Sequence, residues 1–183
     1  MDLKEEKELV EMARREPETF GKIYDQYYSQ IFSYVLRRVA NIEITQDVTS
    51  EVFFKALRNL RQFHWRNISF SSWLYRIATN QIIDYFRKSK RKTLSLEEFS
   101  ESITFSDPST EVIDAEKELE RHEDFLTLHE KISKLPIKYQ EVITLRFFED
   151  KQIKEIARIL GKREGTVKSL LHRGLEKLRR LME

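Results

Sequence analysis

The sequence contains no cysteine. That removes disulfides, thiolate metal sites and thiol nucleophiles together. Glycine and proline are scarce, 4 and 3 in 183 residues. Sandwiches and barrels need many turns, so the shortage favours helices. The 4 histidines are scattered and form no ligand spacing. No apolar run approaches the roughly 20 residues of a membrane span. The N-terminus is charged from Asp2 to Glu8, unlike a signal peptide. No acidic pair sits beside a histidine or a glycine-rich phosphate loop, so the expectation is no catalytic residue, no metal and no cofactor. A cytoplasmic protein without membrane insertion is the default.

What is present is charge in blocks. The net charge of +2 conceals a basic, acidic, basic order. Five bases fall between Arg87 and Lys92 with no acid. From Glu97 to Glu120 there are nine acids against Lys117 alone. From Lys162 to Arg180 seven bases face Glu164 and Glu176. One such block is ordinarily a solvated helix face. Two basic blocks around an acidic one, each beside a helical module, point to a polyanionic partner.

Helical periodicity dominates the rest. Phe20, Ile23, Tyr24, Tyr27, Ile31, Tyr34 and Val35 recur at steps of three and four. Thr45 is an expected N-cap for a helix to about Gln62, with Val48, Val52, Ala56 and Leu60 as its stripe, widened by Phe53 and Leu57. Ser71 or Ser72 is expected to cap a helix to about Lys88, burying Leu74, Ala78, Ile82 and Tyr85. Residues 89–110 lose the period and read as a linker. Periodicity returns near Val112 and runs to Lys134. Pro136 suits the first turn of a helix reaching Phe148. A short helix follows from about Lys151 to Leu160, ended by Gly161 as a left-handed cap. The last runs from about Thr166 to Leu181. No internal repeat and no strand stands out.

Residues 151–181 have helix-turn-helix spacing. Ile153, Ile156, Ala157 and Leu160 give the first helix an apolar face. Val167, Leu171, Gly174, Leu175 and Leu178 give the second its buried face. Thr166, Ser169, His172, Arg173 and Glu176 then point away from it, and short polar and forked cationic side chains on such a face are suited to base edges in a major groove. Arg163, Lys168 and Lys177 add positive charge for phosphates. The plainer alternative is a helical hairpin with a charged exterior.

In the first half, Asp47, Glu51, Phe54, Lys55 and Arg58 share the face opposite the apolar stripe. Phe54 framed by charges suits a partner surface; the alternative packs it on a neighbouring helix. Further on, Trp73, Arg76, Asn80, Asp84 and Arg87 fall on one face, preceded by His64, Trp65 and Arg66. Amides pair with base edges, guanidinium groups hold phosphates and aromatics stack on unpaired bases. Trp73 also fits a boundary core position, and Asn80 an ordinary surface one.

These stretches resemble a known family. Glu155-Ile156-Ala157-Arg158-Ile159-Leu160-Gly161, then Glu164-Gly165-Thr166-Val167-Lys168-Ser169 and Leu171-His172-Arg173-Gly174, resemble the sigma-factor domain that reads the −35 element. Leu135-Pro136 and Leu145-Arg146-Phe147 match the helix before it. Leu170 stands where the family often has Arg, and is expected to pack. Asp47 to Leu57 resembles the region that docks on the β′ clamp helices of RNA polymerase, with Ser50 where Gln is usual. Phe70 to Asn80, with Asp84 and Arg87, resembles the region that captures the melted −10 element. The order of the motifs resembles small sigma factors of the extracytoplasmic-function type.

The resulting expectation is an all-α chain of two small helical domains joined by an acidic linker. Residues 1–18 form an N-terminal helical extension and 19–90 a sigma region 2-like bundle. Residues 91–115 are the linker and 116–183 a region 4-like helix-turn-helix domain. The resemblance implies core polymerase as partner, through its β′ clamp helices and β flap, promoter DNA, and an anti-sigma factor. The competing readings are a stand-alone helix-turn-helix regulator and a helical adaptor that binds only protein.

Overall fold

The computed structural model describes residues 3–65, 68–95 and 127–183, with the side chains of α4 described through Ser89. Arg66, most of the expected linker and the periodic run from Val112 to residue 126 lie outside them. Every regular element among the described residues is helical.

The N-terminal unit is a bundle of four helices. These are α1 (Leu3–Arg15), α2 (Phe20–Val39), α3 (Ile42–Asn59) and α4 (Phe70–Ser95), with 3-10 turns at Pro17–Thr19 and Leu60–Gln62. The expected stripes of α2 and α3 form its core except for Tyr24 and Leu57, which are exposed at its edge. Ile23, Ile31, Tyr34, Val35, Val52 and Ala56 are fully buried, and α4 contributes Leu74, Ala78 and Ile82. Burying such aliphatic side chains stabilises by about 1.5–3 kcal/mol each. Helix α1 joins the same core through Val10 and Ala13.

Two caps differ from expectation. Helix α3 is capped by Asn41, whose side chain accepts from the Ile44 N–H at 2.9 Å. Thr45 lies inside the helix, fully buried, with its hydroxyl on the Asn41 carbonyl at 2.7 Å. Helix α4 is capped by Ser69, whose Oγ accepts from the Ser72 N–H at 3.1 Å. Several consecutive Asn, Ser and Thr positions satisfy the same capping preference, and only tertiary packing selects among them. Helix α4 also runs on to Ser95, past Lys88. No glycine or proline lies between Gly21 and Pro108 to stop it.

The C-terminal unit comprises α5 (127–133), α6 (Ile137–Ile143), a π-helical turn (Thr144–Phe148), α7 (Ile153–Leu160) and α8 (Glu164–Met182). Pro136 precedes α6 as expected. Buried Gln140 donates to the Ser133 and Leu135 carbonyls at 3.1 and 2.8 Å, closing the end of α5. Gly161 ends α7 with φ of +63°, the left-handed cap expected. Gly174 brings α8 close to α6: a Cβ there would meet Tyr139 Cβ and Ile143 Cδ1 at 3.2 Å each.

The two units touch. Glu149, whose side chain is 6% exposed, accepts from Arg37 Nη1 and from the Tyr75 hydroxyl, both at 2.7 Å. Lys151 Nζ lies 4.6 Å above the Tyr75 ring. Burial, then the nearby Glu149 carboxylate, pushes the Tyr75 phenol well above its ordinary pKa. Beside this contact the buried Arg38 lies near Glu141, whose carboxyl is raised by burial while Arg38 and Lys162 draw it down.

Candidate nucleic-acid interface

The aromatic residues around the start of α4 pack on one another. Phe63 is buried, and Trp65 meets it edge-on with ring centroids 5.0 Å apart. Trp73 lies 5.0 Å from Phe63 and 5.3 Å from Phe70. Trp73 is thus a half-buried boundary residue, and its remaining surface opens into a groove of about 370 Å³ between α3 and α4. Asn80 and Asp84 line that groove from α4, and Lys55 lines it from α3. Three amides not singled out from the sequence, Asn59, Gln62 and Gln81, complete its wall. Asn59 follows Lys55 by one turn and Gln81 adjoins Asn80, so helical spacing from those two was the available signal. An aromatic face ringed by amides suits an unstacked base read on its hydrogen-bonding edge.

The remaining residues of this set are dispersed. His64 is exposed, its Nδ1 2.6 Å from the Gln62 carbonyl. Asp84 and Arg87 pair with each other at 2.9 Å on the surface. Arg76 turns away from the groove and donates to the Arg158 carbonyl and, at 3.2 Å, to that of Ile159. It therefore engages the C-terminal end of α7, where free carbonyls carry partial negative charge.

On α3, Asp47, Glu51 and Arg58 are exposed, Lys55 is half-buried, and Lys55 Nζ lies 3.6 Å from Glu51. Phe54 is 57% exposed rather than packed on a neighbouring helix. Leu57, expected within the buried stripe, is exposed beside it. Phe53 is covered by Tyr24 and Tyr28, at 4.8 and 6.3 Å between centroids, and Leu57 lies one turn beyond that cover.

On the C-terminal unit, Arg163, Thr166, Lys168, Ser169, His172, Arg173 and Lys177 are all exposed, in the turn and along α8. Arg173 Nε donates to the Ser169 carbonyl at 3.2 Å, and His172 Nδ1 lies 3.7 Å from Glu176. Leu170 is buried, as expected. Leu175 is not: it is exposed and, with Phe147, opens onto an apolar hollow of about 150 Å³ floored by Ile132, Ile143 and Leu178. Helix α5 and the π-helical turn flank Leu175 without closing over it. An exposed Leu and Phe around one hollow make a second apolar surface, foreshadowed in the sequence only by the aromatic Phe147.

An exposed helix-turn-helix together with an amide-lined aromatic groove defines a two-module helical nucleic-acid-binding protein. Residues 23–92 match the family model for sigma-70 region 2, and residues 125–178 that for sigma-70 region 4. The chain is 34% identical over 183 residues to the ECF RNA polymerase sigma factor SigW of Bacillus subtilis, covering 98% of this chain and 97% of SigW. It is 33% identical over 183 residues to the ECF sigma factor BldN of Streptomyces coelicolor, where it spans 96% of this chain and 65% of BldN. In fold it is similar to CnrH in complex with the cytosolic domain of CnrY, with a TM-score of 0.68 at 20% identity, covering 95% of this chain and 94% of that one. It is also similar to RpoE bound to the anti-sigma factor NepR from Bartonella quintana, with a TM-score of 0.67 at 18% identity, covering 89% and 96%. The chain belongs to the sigma-70 family, as a sigma factor of the extracytoplasmic-function type. Both halves match sigma regions, which leaves the stand-alone regulator without support. Among the described residues no helix is long and apolar enough to cross a membrane.

Proposed function

We propose a division of labour for this sigma factor in promoter-specific initiation. The α3 face around Phe54 docks on the clamp helices of core RNA polymerase, with Asp47, Glu51, Lys55 and Arg58 setting register. The apolar hollow beside Phe147 and Leu175 takes the β flap. The groove between α3 and α4 captures a base of the melted −10 strand, with Trp73 as platform and Asn80 as edge reader, while Trp65 and His64 approach from the loop; Arg66 is proposed as a further DNA contact from the sequence alone. Arg76 and Arg87 hold phosphates once the two units separate. Helix α8 enters the −35 major groove with Thr166, Ser169, His172 and Arg173 toward bases, and Arg163, Lys168 and Lys177 toward phosphates. Polymerase supplies the reaction chemistry, and the chain works in the cytoplasm where polymerase is. An anti-sigma factor is the remaining partner that the family suggests; the RpoE and CnrH structures similar in fold each hold a second protein.

The observation that carries this reading is the groove itself, a polar, aromatic-backed recess beside an exposed docking face on the same helix pair. Asn80→Ala and Trp65→Ala are expected to reduce open-complex formation more than closed-complex binding. Loss of one stacked base costs about 1–3 kcal/mol. A pre-melted bubble promoter then restores part of the transcription. Permanganate footprints showing unimpaired melting in both variants would remove the groove and its loop from −10 capture.

A further inference from the structure

We infer that α1 is a brace for the −10 reading loop, with Glu6, Glu11 and Arg14 as positioning residues. This rests on the reading of that loop given above. The loop joins α3 to α4 and carries Phe63, His64 and Trp65. Three side chains of α1 hold it at separate points. Arg14 donates from Nε to the Leu60 carbonyl at 3.2 Å and from Nη2 to the Phe63 carbonyl, and its guanidinium lies 5.9 Å from the Phe63 ring centroid. Glu11 accepts from Arg14 Nη1 at 2.6 Å and from the Trp65 indole N–H at 3.3 Å. Glu6, buried, accepts from the Ser71 and Phe70 N–H groups at 2.8 and 3.3 Å and from the Tyr27 hydroxyl at 2.7 Å.

The chemistry of these contacts is that of fixing backbone. The first N–H groups of a helix have no partner within it. Ser69 takes the Ser72 N–H, and Glu6 takes the two before it, so the entry of α4 is satisfied by one cap and one carboxylate from 64 residues away. A carboxylate at that end also meets the favourable pole of the helix dipole. At the other side of the loop, one guanidinium bridges the Phe63 carbonyl and the Leu60 carbonyl, which also accepts the Phe63 N–H at 3.2 Å to close the 3-10 turn. Trp65 is thereby held by its indole N–H on one edge and by Phe63 on the other. A loop that must present aromatic side chains to a single flipped base gains selectivity from such fixing, because a mobile platform accepts any base. None of the three α1 residues needs to touch DNA.

The test uses holoenzyme assembled from core polymerase and full-length chain, on a promoter it transcribes and on copies carrying single-base changes at −10 or at −35. Arg14→Ala and Trp65→Ala are compared with the unaltered chain. Loss of about two hydrogen bonds from the loop predicts that Arg14→Ala lowers discrimination between correct and altered −10 bases by about ten-fold. Discrimination at −35 and affinity for core stay unchanged. Should Arg14→Ala fail to fold, Glu11→Ala, at a side chain 40% exposed, releases the Trp65 indole and one Arg14 contact while leaving both Arg14 bonds to the loop carbonyls, and predicts a smaller loss of the same kind. If Trp65→Ala lowers −10 discrimination and the folded α1 variant does not, the brace is overturned and the reading of the loop stands. If neither lowers it, the reading of the loop fails and the brace with it. Equal loss at −10 and −35 would reduce α1 to a general structural part and overturn the positioning role.

Discussion

Glu149→Gln is the most informative single change at the contact between the two units. Glu149 is almost fully enclosed and bonds Arg37 and Tyr75 at 2.7 Å each. The amide keeps an oxygen for the Tyr75 hydroxyl but removes the charge that Arg37 meets. A hydrogen bond to a charged group contributes about 1.5–3 kcal/mol. Arg37 is 33% exposed, so water takes up the freed guanidinium and the loss falls toward the lower end of that range. A loss of about 1.5–2 kcal/mol shifts the balance between closed and parted units by about ten- to thirty-fold. The absence of native cysteine allows clean labelling: cysteines at exposed Gln46 and Lys154, one on each unit, carry a donor and an acceptor dye. Energy transfer in the free chain should fall in Glu149→Gln and fall further in Glu149→Ala. Because Arg76 is occupied by the end of α7 while the units touch, binding of single-stranded DNA by the free chain should rise in the same order. Unchanged energy transfer in both variants would refute the argument that Glu149 holds the units together.

Gly174→Ala should destabilise the C-terminal unit by about 1 kcal/mol in urea unfolding, since the propensity gain of about 0.8–1 kcal/mol is outweighed by overpacking of about 1–3 kcal/mol against the Tyr139 backbone stem; a stabilised variant would contradict the close approach. Burial holds the His129 pKa below its ordinary value of 6.5, against a hydrogen bond with the Arg38 backbone that raises it. Its stabilising contribution is therefore full above pH 6.5 and is lost as pH falls through the lowered folded value. Glu141, raised by burial, has the opposite sign: its contribution is present at low pH and lost as pH rises. His129→Gln should therefore flatten the fall in thermal midpoint between about pH 7 and about pH 5, and an unchanged slope would contradict the assignment. Arg173→Ala should cost about 1–3 kcal/mol on the correct −35 sequence and much less on a scrambled one, whereas Lys177→Ala should weaken both alike, as read by holoenzyme binding to promoters differing only at −35.

The legible parts of this molecule were local. The three-to-four spacing of Ile23, Tyr27, Ile31 and Tyr34 made the core of α2 readable, and the same rule placed Leu170 inside and Arg173 outside on α8. Gly161 was readable because few other residues adopt positive φ at a helix end. The illegible parts join residues far apart in sequence. Nothing periodic marks Glu6 as a partner of Ser71, Arg14 of Phe63, or Glu149 of Arg37 and Tyr75. Arg76 lay on the expected face, yet a long flexible side chain answers to whatever acceptor packs nearby, here the carbonyls of α7. Leu175 misled because spacing gives the direction of a side chain and not whether a neighbouring helix covers it.

The central claim is that this chain gives core polymerase its promoter choice. Run-off transcription with a pool of random-sequence templates tests it most directly, using core RNA polymerase of Bacillus subtilis, whose SigW is 34% identical to the chain. With the chain added, transcripts should start from a restricted set of templates that share one sequence block near −35 and another near −10. Arg173→Ala should relax the first block alone, and Asn80→Ala the second. Transcription that is the same with and without the chain, while the chain alone binds duplex DNA tightly, would contradict the account.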